Sequence, residues 1–411
     1  MPIAVDKPLP RILVFTEDCL NASHGTGALL LRYFEGYPPE RLANVFLRRR
    51  HEPAWKLACE APRQPAPACA WPWPLAAGTR LWNMVASRLP GRPFPCVERP
   101  PQFLPVMHKF AEMGFQPDVV LTSAFSLSGL EFVSQLGGEL AGRTPVVQQF
   151  FDYFCSTPLG FQPALRRAVA HCSEIWAVTD TTVASVRTRT GRSVEFVQSL
   201  HLQLPPNRKS VYAEAGPQFR AVTIGNFQSP AVLVATARLW ATCRRAVPGL
   251  PPLQWYAHPE SHRGAAAWLT PDIQWVGFLQ GPEYFAALER ADLLLAPVNI
   301  GARAGDDFAR YSLPTRVTEP LAVGVPVVAL ASPDTALSSY LTRHELGLAV
   351  TLSVNGECPP ELLALIRDKA QRAALGQRAV DHAHRHFDIG PYRTQLWSRL
   401  TAQVGSPAQT L

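Results

Sequence analysis

A short apolar run followed by a helical stretch recurs along the chain in two blocks. This alternation constrains the fold more than any other feature. In the first block the candidate strands are Arg11–Thr16, Pro117–Thr122, Thr144–Gln148, Glu174–Val178 and Val194–Val197. In the second they are Phe219–Gly225, Leu253–Ala257, Ile273–Val276, Ala291–Ala296, Pro326–Leu330 and Leu348–Leu352, with helical segments at 233–246, 282–290 and 316–323. The runs are almost wholly apolar, as parallel strands are when helices cover both faces. The expected fold is α/β: two Rossmann-like, doubly wound domains facing a central cleft, with ligands outside the carboxyl ends of the strands. A length of 411 residues accommodates this. The expected domains are 1–212, 213–388, and a last helix within 389–411 that crosses back to the first. Residues 204–218 are polar and contain proline, which suits a linker.

Hydrophobic residues make up 47% of the chain and charged residues 17%, a globular composition. The net charge is +7, and only five of the 39 basic residues are lysine. Arginine's planar fork bonds two phosphate oxygens at once, so an anionic substrate or membrane surface is one explanation. Base-composition bias is the plain one. Basic residues are spread along the chain apart from Arg48–Arg50, without a nucleic-acid-binding motif, so no nucleic acid partner is expected. The eight cysteines form no CxxC pair or metal-ligand spacing, which points to reduced thiols in the cytoplasm. The start, MPIAVDKPLPRILVF, lacks a signal-peptide layout, and no apolar run approaches the roughly 18 residues that span a bilayer. Residues 53–105 hold 12 of the 40 prolines along with Trp71, Trp73 and Trp82. Proline excludes long helices and central strands there, leaving an irregular insertion. Tryptophan beside Arg80, Arg88 and Arg92 keeps open an acceptor-binding loop or peripheral contact with the inner face of a membrane.

The stretch YSLPTRVTEPLAVGVPVVAL, 311–330, carries the chemistry. A tight turn at Ser312, Leu313 and Pro314 feeding a helix from Thr315 aims free N–H groups and the dipole's positive end at an anion. Arg316 adds a charge-assisted donor. Glu319 follows one turn later, and an ionised carboxylate, which only accepts, suits the paired hydroxyls of a ribose. A nucleoside diphosphate offers both groups. An ordinary surface ion pair on a helix is the plainer reading.

These residues resemble the second-domain signature of GT-B-fold glycosyltransferases, particularly the retaining family 4. That family places a glutamate before a small-residue helix and a G-x-P-V-V strand, here Glu319, Ala322, Gly324, Pro326, Val327 and Val328. The order of the other parts is similar: a glycine loop, His24 to Gly27, follows the first strand, and Gly225 ends the second domain's first strand. Trp275 to Leu279 precede a helix and the run ADLLLAP. The resemblance implies a glycosyltransferase using a nucleotide-sugar co-substrate, with an acceptor glycan, lipid or protein. It implies that Glu319 binds the donor ribose and that Ser312 to Arg316 bind the diphosphate. Phe278 and Leu279 would border the base, and Gly25 and Gly27 would allow close backbone approach. His258, after the strand QWYAH, is a further cleft candidate.

Three departures bear on mechanism. Tyr311 stands where the family often has its first glutamate. Asn226 and Gln228 stand where an Arg and a Lys often hold the diphosphate. Phe151-Asp152 replaces a His-Asp pair. No D-x-D occurs, so no metal is expected, and Arg316, helped by Arg303 or Arg310, is the candidate for stabilising the leaving group. An inverting transfer also needs a base, for which Asp152, Asp18 and His24 are the candidates. A sugar-nucleotide epimerase and a non-catalytic nucleotide-binding protein are the alternatives.

Overall fold

A computed structural model of the protein describes residues 8–18, 25–48, 69–72, 114–151, 161–301 and 307–404. The chain divides into two compact units, Met1–Ser199 with Ile389–Leu411 and Leu200–Asp388.

The first unit contains a parallel sheet of seven strands. These are β1 (Ile12–Asp18), β2 (Leu42–Arg48), β3 (Cys69–Pro72), β4 (Val119–Ser123), β5 (Val146–Phe150), β6 (Glu174–Ala177) and β7 (Glu195–Phe196). Their order is β3-β2-β1-β4-β5-β6-β7, so the winding reverses between β1 and β4. Helices α1 (Gly25–Tyr33), α2 (Leu127–Leu140), α3 (Phe161–Ala170) and α4 (Asp180–Thr190) connect the strands. Two of these strands escaped the hydrophobic pattern. In β2 a polar Asn44 interrupts the run, yet it is fully buried and donates to the Val14 carbonyl (3.0 Å) and the Thr16 hydroxyl (3.2 Å) of β1. The other, β3, lies inside the proline-rich insertion and contains Pro72. It is the edge strand, where proline is tolerated. The rest of 53–105 lies outside the described residues.

Helix α13 (Ile389–Gln403) belongs to this unit. Trp397 donates through Nε1 to the Tyr33 carbonyl (2.9 Å) and meets Tyr37 edge-on at 5.2 Å. Arg399 forks onto the Glu195 carboxylate (2.8 and 2.7 Å), reaches Glu174 (2.6 Å), and lies 4.4 Å over the Trp176 ring. A bidentate guanidinium stacked on an indole is better fixed than a simple surface ion pair.

The second unit holds a six-stranded parallel sheet in the order β10-β9-β8-β11-β12-β13. The strands are β8 (Ala221–Ile224), β9 (Leu253–Tyr256), β10 (Ile273–Gly277), β11 (Leu293–Pro297), β12 (Val327–Leu330) and β13 (Gly347–Val350). The winding reverses between β8 and β11. Separate apolar cores cover the two faces: Val327 and Ala329 of β12 enter one, Val328 and Leu330 the other, the period-two alternation of a strand buried on both sides. Its helices are α5 (Pro230–Ala246), α6 (Pro259–Ala265), α7 (Gly281–Arg290), α8 (Asp307–Tyr311), α9 (Thr318–Val323), α10 (Ala336–His344), α11 (Pro360–Arg367) and α12 (Lys369–His386). Gly324 ends α9 at φ 97°, and a Cβ there would meet Val380 Cγ2 at 2.9 Å. Backbone hand and helix packing both demand glycine at this point of the G-x-P-V-V run. The stretch 204–218 is anchored in this unit. Lys209 sits 3.4 Å from the buried Asp292 carboxylate, which also accepts from the Ala213 and Arg220 backbone N–H groups, and Tyr212 donates to the Gly324 carbonyl.

Candidate functional site at the carboxyl edge of the second unit

At the reversal between β8 and β11 the backbone presents carbonyls at the carboxyl ends of two strands. One cation ties them together. Arg316 donates from Nη1 to the Ile224 (3.2 Å) and Asn226 (2.8 Å) carbonyls and from Nη2 to the Pro297 carbonyl (2.5 Å). Its Nε is shielded from solvent with no acceptor among the described residues. Burial pulls the guanidinium down to about 10, so it stays charged at neutral pH. From the sequence Arg316 is expected to be a free phosphate ligand. Its terminal nitrogens instead hold backbone, because carbonyls of both strand ends converge on them.

The helix expected from Thr315 begins as a 3-10 turn, Thr315–Val317, and continues as the six-residue α9. So short a helix carries little dipole, and the positive charge at this edge comes mainly from Arg316. In the preceding run Tyr311, Ser312 and Leu313 are buried, Leu313 within the apolar core, while Thr315 is exposed beside Arg316. Glu319 is half-buried, one turn beyond Arg316. Arg303 lies outside the described residues. Arg310 pairs with Asp334 (2.9 Å), whose other oxygen accepts from Ser332; Asn299 accepts from the Ser332 N–H (3.0 Å). This network joins the carboxyl ends of β11 and β12. Asn299 and Ser332 were missed by sequence reading, although each follows directly on an apolar strand.

On the other side of β8, Gly225 adopts φ 78° and its carbonyl accepts from Trp255 Nε1 (2.8 Å). A cavity of about 260 Å³ opens here, lined by Asn226, Phe227, Gln228, Trp255, Ser261 and Trp268 among others. Asn226 Oδ1 accepts from the Ser261 hydroxyl, and Phe227 meets Trp255 at 5.2 Å. Ser229 caps α5 by accepting from the Val232 N–H (3.3 Å). The aromatic wall was not foreseen; its signal was the Trp-Tyr pair of β9. Beyond it His258 caps α6 and meets Phe278 at 5.4 Å, with Phe278 half-exposed and Leu279 packed against the core.

The first unit treats its own reversal differently. Glu17 near the end of β1 is 1% exposed, and its Oε1 accepts the N–H groups of Phe125 (2.7 Å) and Ser126 in the loop after β4. Asp18 ends β1 opposite Arg48, and Gly25 and Gly27 open α1. His24 and Asp152 lie outside the described residues. Among the described residues no helix is long and apolar enough to cross a membrane.

Neither a protein-family model nor a curated protein matches the sequence. Solved structures match its fold. The chain is similar to TarM, at 8% identity and a TM-score of 0.64 over 96% of this chain and 99% of that one. A glycosyltransferase from Rickettsia africae shares 7% identity at a TM-score of 0.63 over the same proportions. A putative UDP-N-acetylglucosamine 2-epimerase from Listeria monocytogenes shares 10% at 0.56, over 96% of each chain. At these identities the similarity establishes the fold class: this chain has two Rossmann-like α/β units, as GT-B-fold proteins do.

Proposed function

We propose that this protein is a glycosyltransferase that moves a sugar from a nucleoside-diphosphate donor to an acceptor glycan, lipid or protein, without a metal ion. The observation that carries the reading is the Arg316 guanidinium fixed across the β8/β11 switch point, with Glu319 one turn beyond. Open α/β sheets take ligands at such a point. A cation already locked by three carbonyls needs no reorganisation as charge grows on the departing diphosphate, which makes its stabilisation effective. The exposed Thr315 hydroxyl and the Asn226 side chain add neutral contacts to phosphate. Glu319 accepts the ribose hydroxyls, while Phe278, Leu279 and His258 border the base. The resemblance to the retaining family 4 rests on the Glu319-to-Val328 signature, of which this chain is a divergent bearer. The first unit grips the acceptor, with Asp152, His24 and Asp18 as candidates for taking the proton of its hydroxyl.

The test is incubation with UDP-, GDP- and ADP-sugars, with a CMP-sugar as control, scoring released nucleotide and the configuration of the remaining sugar. Release from one diphosphate donor is expected. Conversion to an epimeric sugar nucleotide without release favours the epimerase reading that the Listeria structure's similar fold supports. Thermal stabilisation by nucleotide with no chemistry on any donor would leave a binding protein.

A further inference from the structure

Away from this site, the second unit holds two thiols in contact. Cys243, fully buried on α5, and Cys358, part-exposed just before α11, place their Sγ atoms 2.9 Å apart across 115 residues of chain. The seam that brings them together is built. Arg238 donates to the Val354 carbonyl (3.1 Å) and Thr242 to the Gly356 carbonyl (2.9 Å), both from α5 to the loop after β13. Gly356 has φ 70°, and a Cβ there would lie 2.3 Å from Arg238 Cβ and 2.5 Å from its carbonyl carbon. Only glycine lets the loop sit this close, and that closeness sets Cys358 opposite Cys243. The two thiols also differ. The shared hydrogen bond, and burial after it, hold Cys243 as a thiol. Cys358 is drawn toward thiolate first by that hydrogen bond and further by Arg367, and it is the one solvent reaches.

We propose that Cys243 and Cys358 are a reversible dithiol–disulfide site, oxidised by exchange with a small-molecule disulfide. The Cys358 thiolate attacks one sulfur of the disulfide RSSR, forming a mixed disulfide and expelling RS⁻, which takes up a proton. Cys243 then gives up its proton and attacks Cys358 Sγ, forming the internal bond and expelling the second RS⁻ as RSH. Two electrons pass from the cysteine pair to RSSR, and the two thiol protons end on two RSH. The bond clips the β13–α11 loop to α5 and closes a long segment of the second unit.

The test uses the full chain, reduced and then incubated with oxidised glutathione, followed by peptide mapping under non-reducing conditions and by thermal melting. A peptide pair joining Cys243 to Cys358 is expected, together with a Tm raised by about 5 °C or more that dithiothreitol reverses. Cys358→Ser should lose both effects while keeping the reduced wild-type Tm, and Cys243→Ala should stop at the Cys358–glutathione adduct. Recovery of both cysteines as free thiols, or of wild-type Cys358 carrying only glutathione after long incubation, would overturn the proposal.

Discussion

The two units solve one problem with opposite charges. Each sheet reverses its winding at one place, between β1 and β4 in the first unit and between β8 and β11 in the second. In the first, the Glu17 carboxylate on β1 gathers backbone N–H groups of the loop after β4. In the second, the Arg316 guanidinium gathers the carbonyls that end β8 and β11. Both side chains bridge the reversal and satisfy backbone groups that the sheet cannot. The lesson is one of sign. A buried anion repels phosphate and a buried cation attracts it, which is why the proposed function puts the diphosphate at the second unit's edge and the acceptor at the first unit's.

The sharpest way to break this comparison is to remove the cation. Arg316→Ala should lower turnover about 100- to 1,000-fold and cost about 2–4 kcal/mol in denaturant unfolding, since three carbonyls lose a charged donor. Arg316→Lys separates the two effects: it keeps the charge, but a single ammonium lacks the planar fork that reaches three carbonyls. Lysine should recover part of kcat but little of the stability; recovery of neither would make the guanidinium geometry, not the charge, the catalytic requirement. Glu319→Ala comes next. Donor affinity should fall roughly 10- to 100-fold as the proposed acceptor of the ribose hydroxyls is lost; an unchanged Kd would move the ribose elsewhere.

The comparison is sharpened by the opposite experiment in the first unit. Glu17→Gln should cost about 1–3 kcal/mol of stability, since two N–H donors lose a charged acceptor, and leave nucleotide affinity at the wild-type value. A change in affinity would mean that the two switch points do not act independently. The smallest effect is acid lability in the second unit. His201 and His382 are buried there and held neutral, burial pushing both down to about 3 from 6.5. Below pH 6.5 the unfolded chain binds protons that the native unit refuses, so stability falls with pH. The loss should be about 0.7 kcal/mol per histidine between pH 7 and pH 6, and His382→Gln should remove its share in denaturant titrations at the two pH values.

The second sheet was legible because its central strands are short, apolar and buried on both faces, as in Pro326–Leu330. The first was harder. In β2 an asparagine occupies a core position by bonding across to β1, which periodicity reads as a break. A proline in β3 argues against a strand unless its edge position is known. The site followed the same division. Sequence spacing set Arg316 and Glu319 one turn apart at a strand–helix junction. It gave no sign that carbonyls from residues 224, 226 and 297 converge on the guanidinium, because such contacts arise from topology and not from neighbours in the chain. Glu17 likewise stood in plain view beside Asp18, but only the fold shows its carboxylate already engaged with backbone.

The most direct measurement is calorimetric titration of UDP, GDP and ADP into the wild-type protein and into Arg316→Gln. The account predicts that one of the three binds the wild type, that its parent nucleoside without phosphates does not, and that the variant loses at least tenfold in affinity, about 1.4 kcal/mol. If none of the three binds, or if the variant binds as tightly as the wild type, the cation across β8 and β11 does not hold a diphosphate.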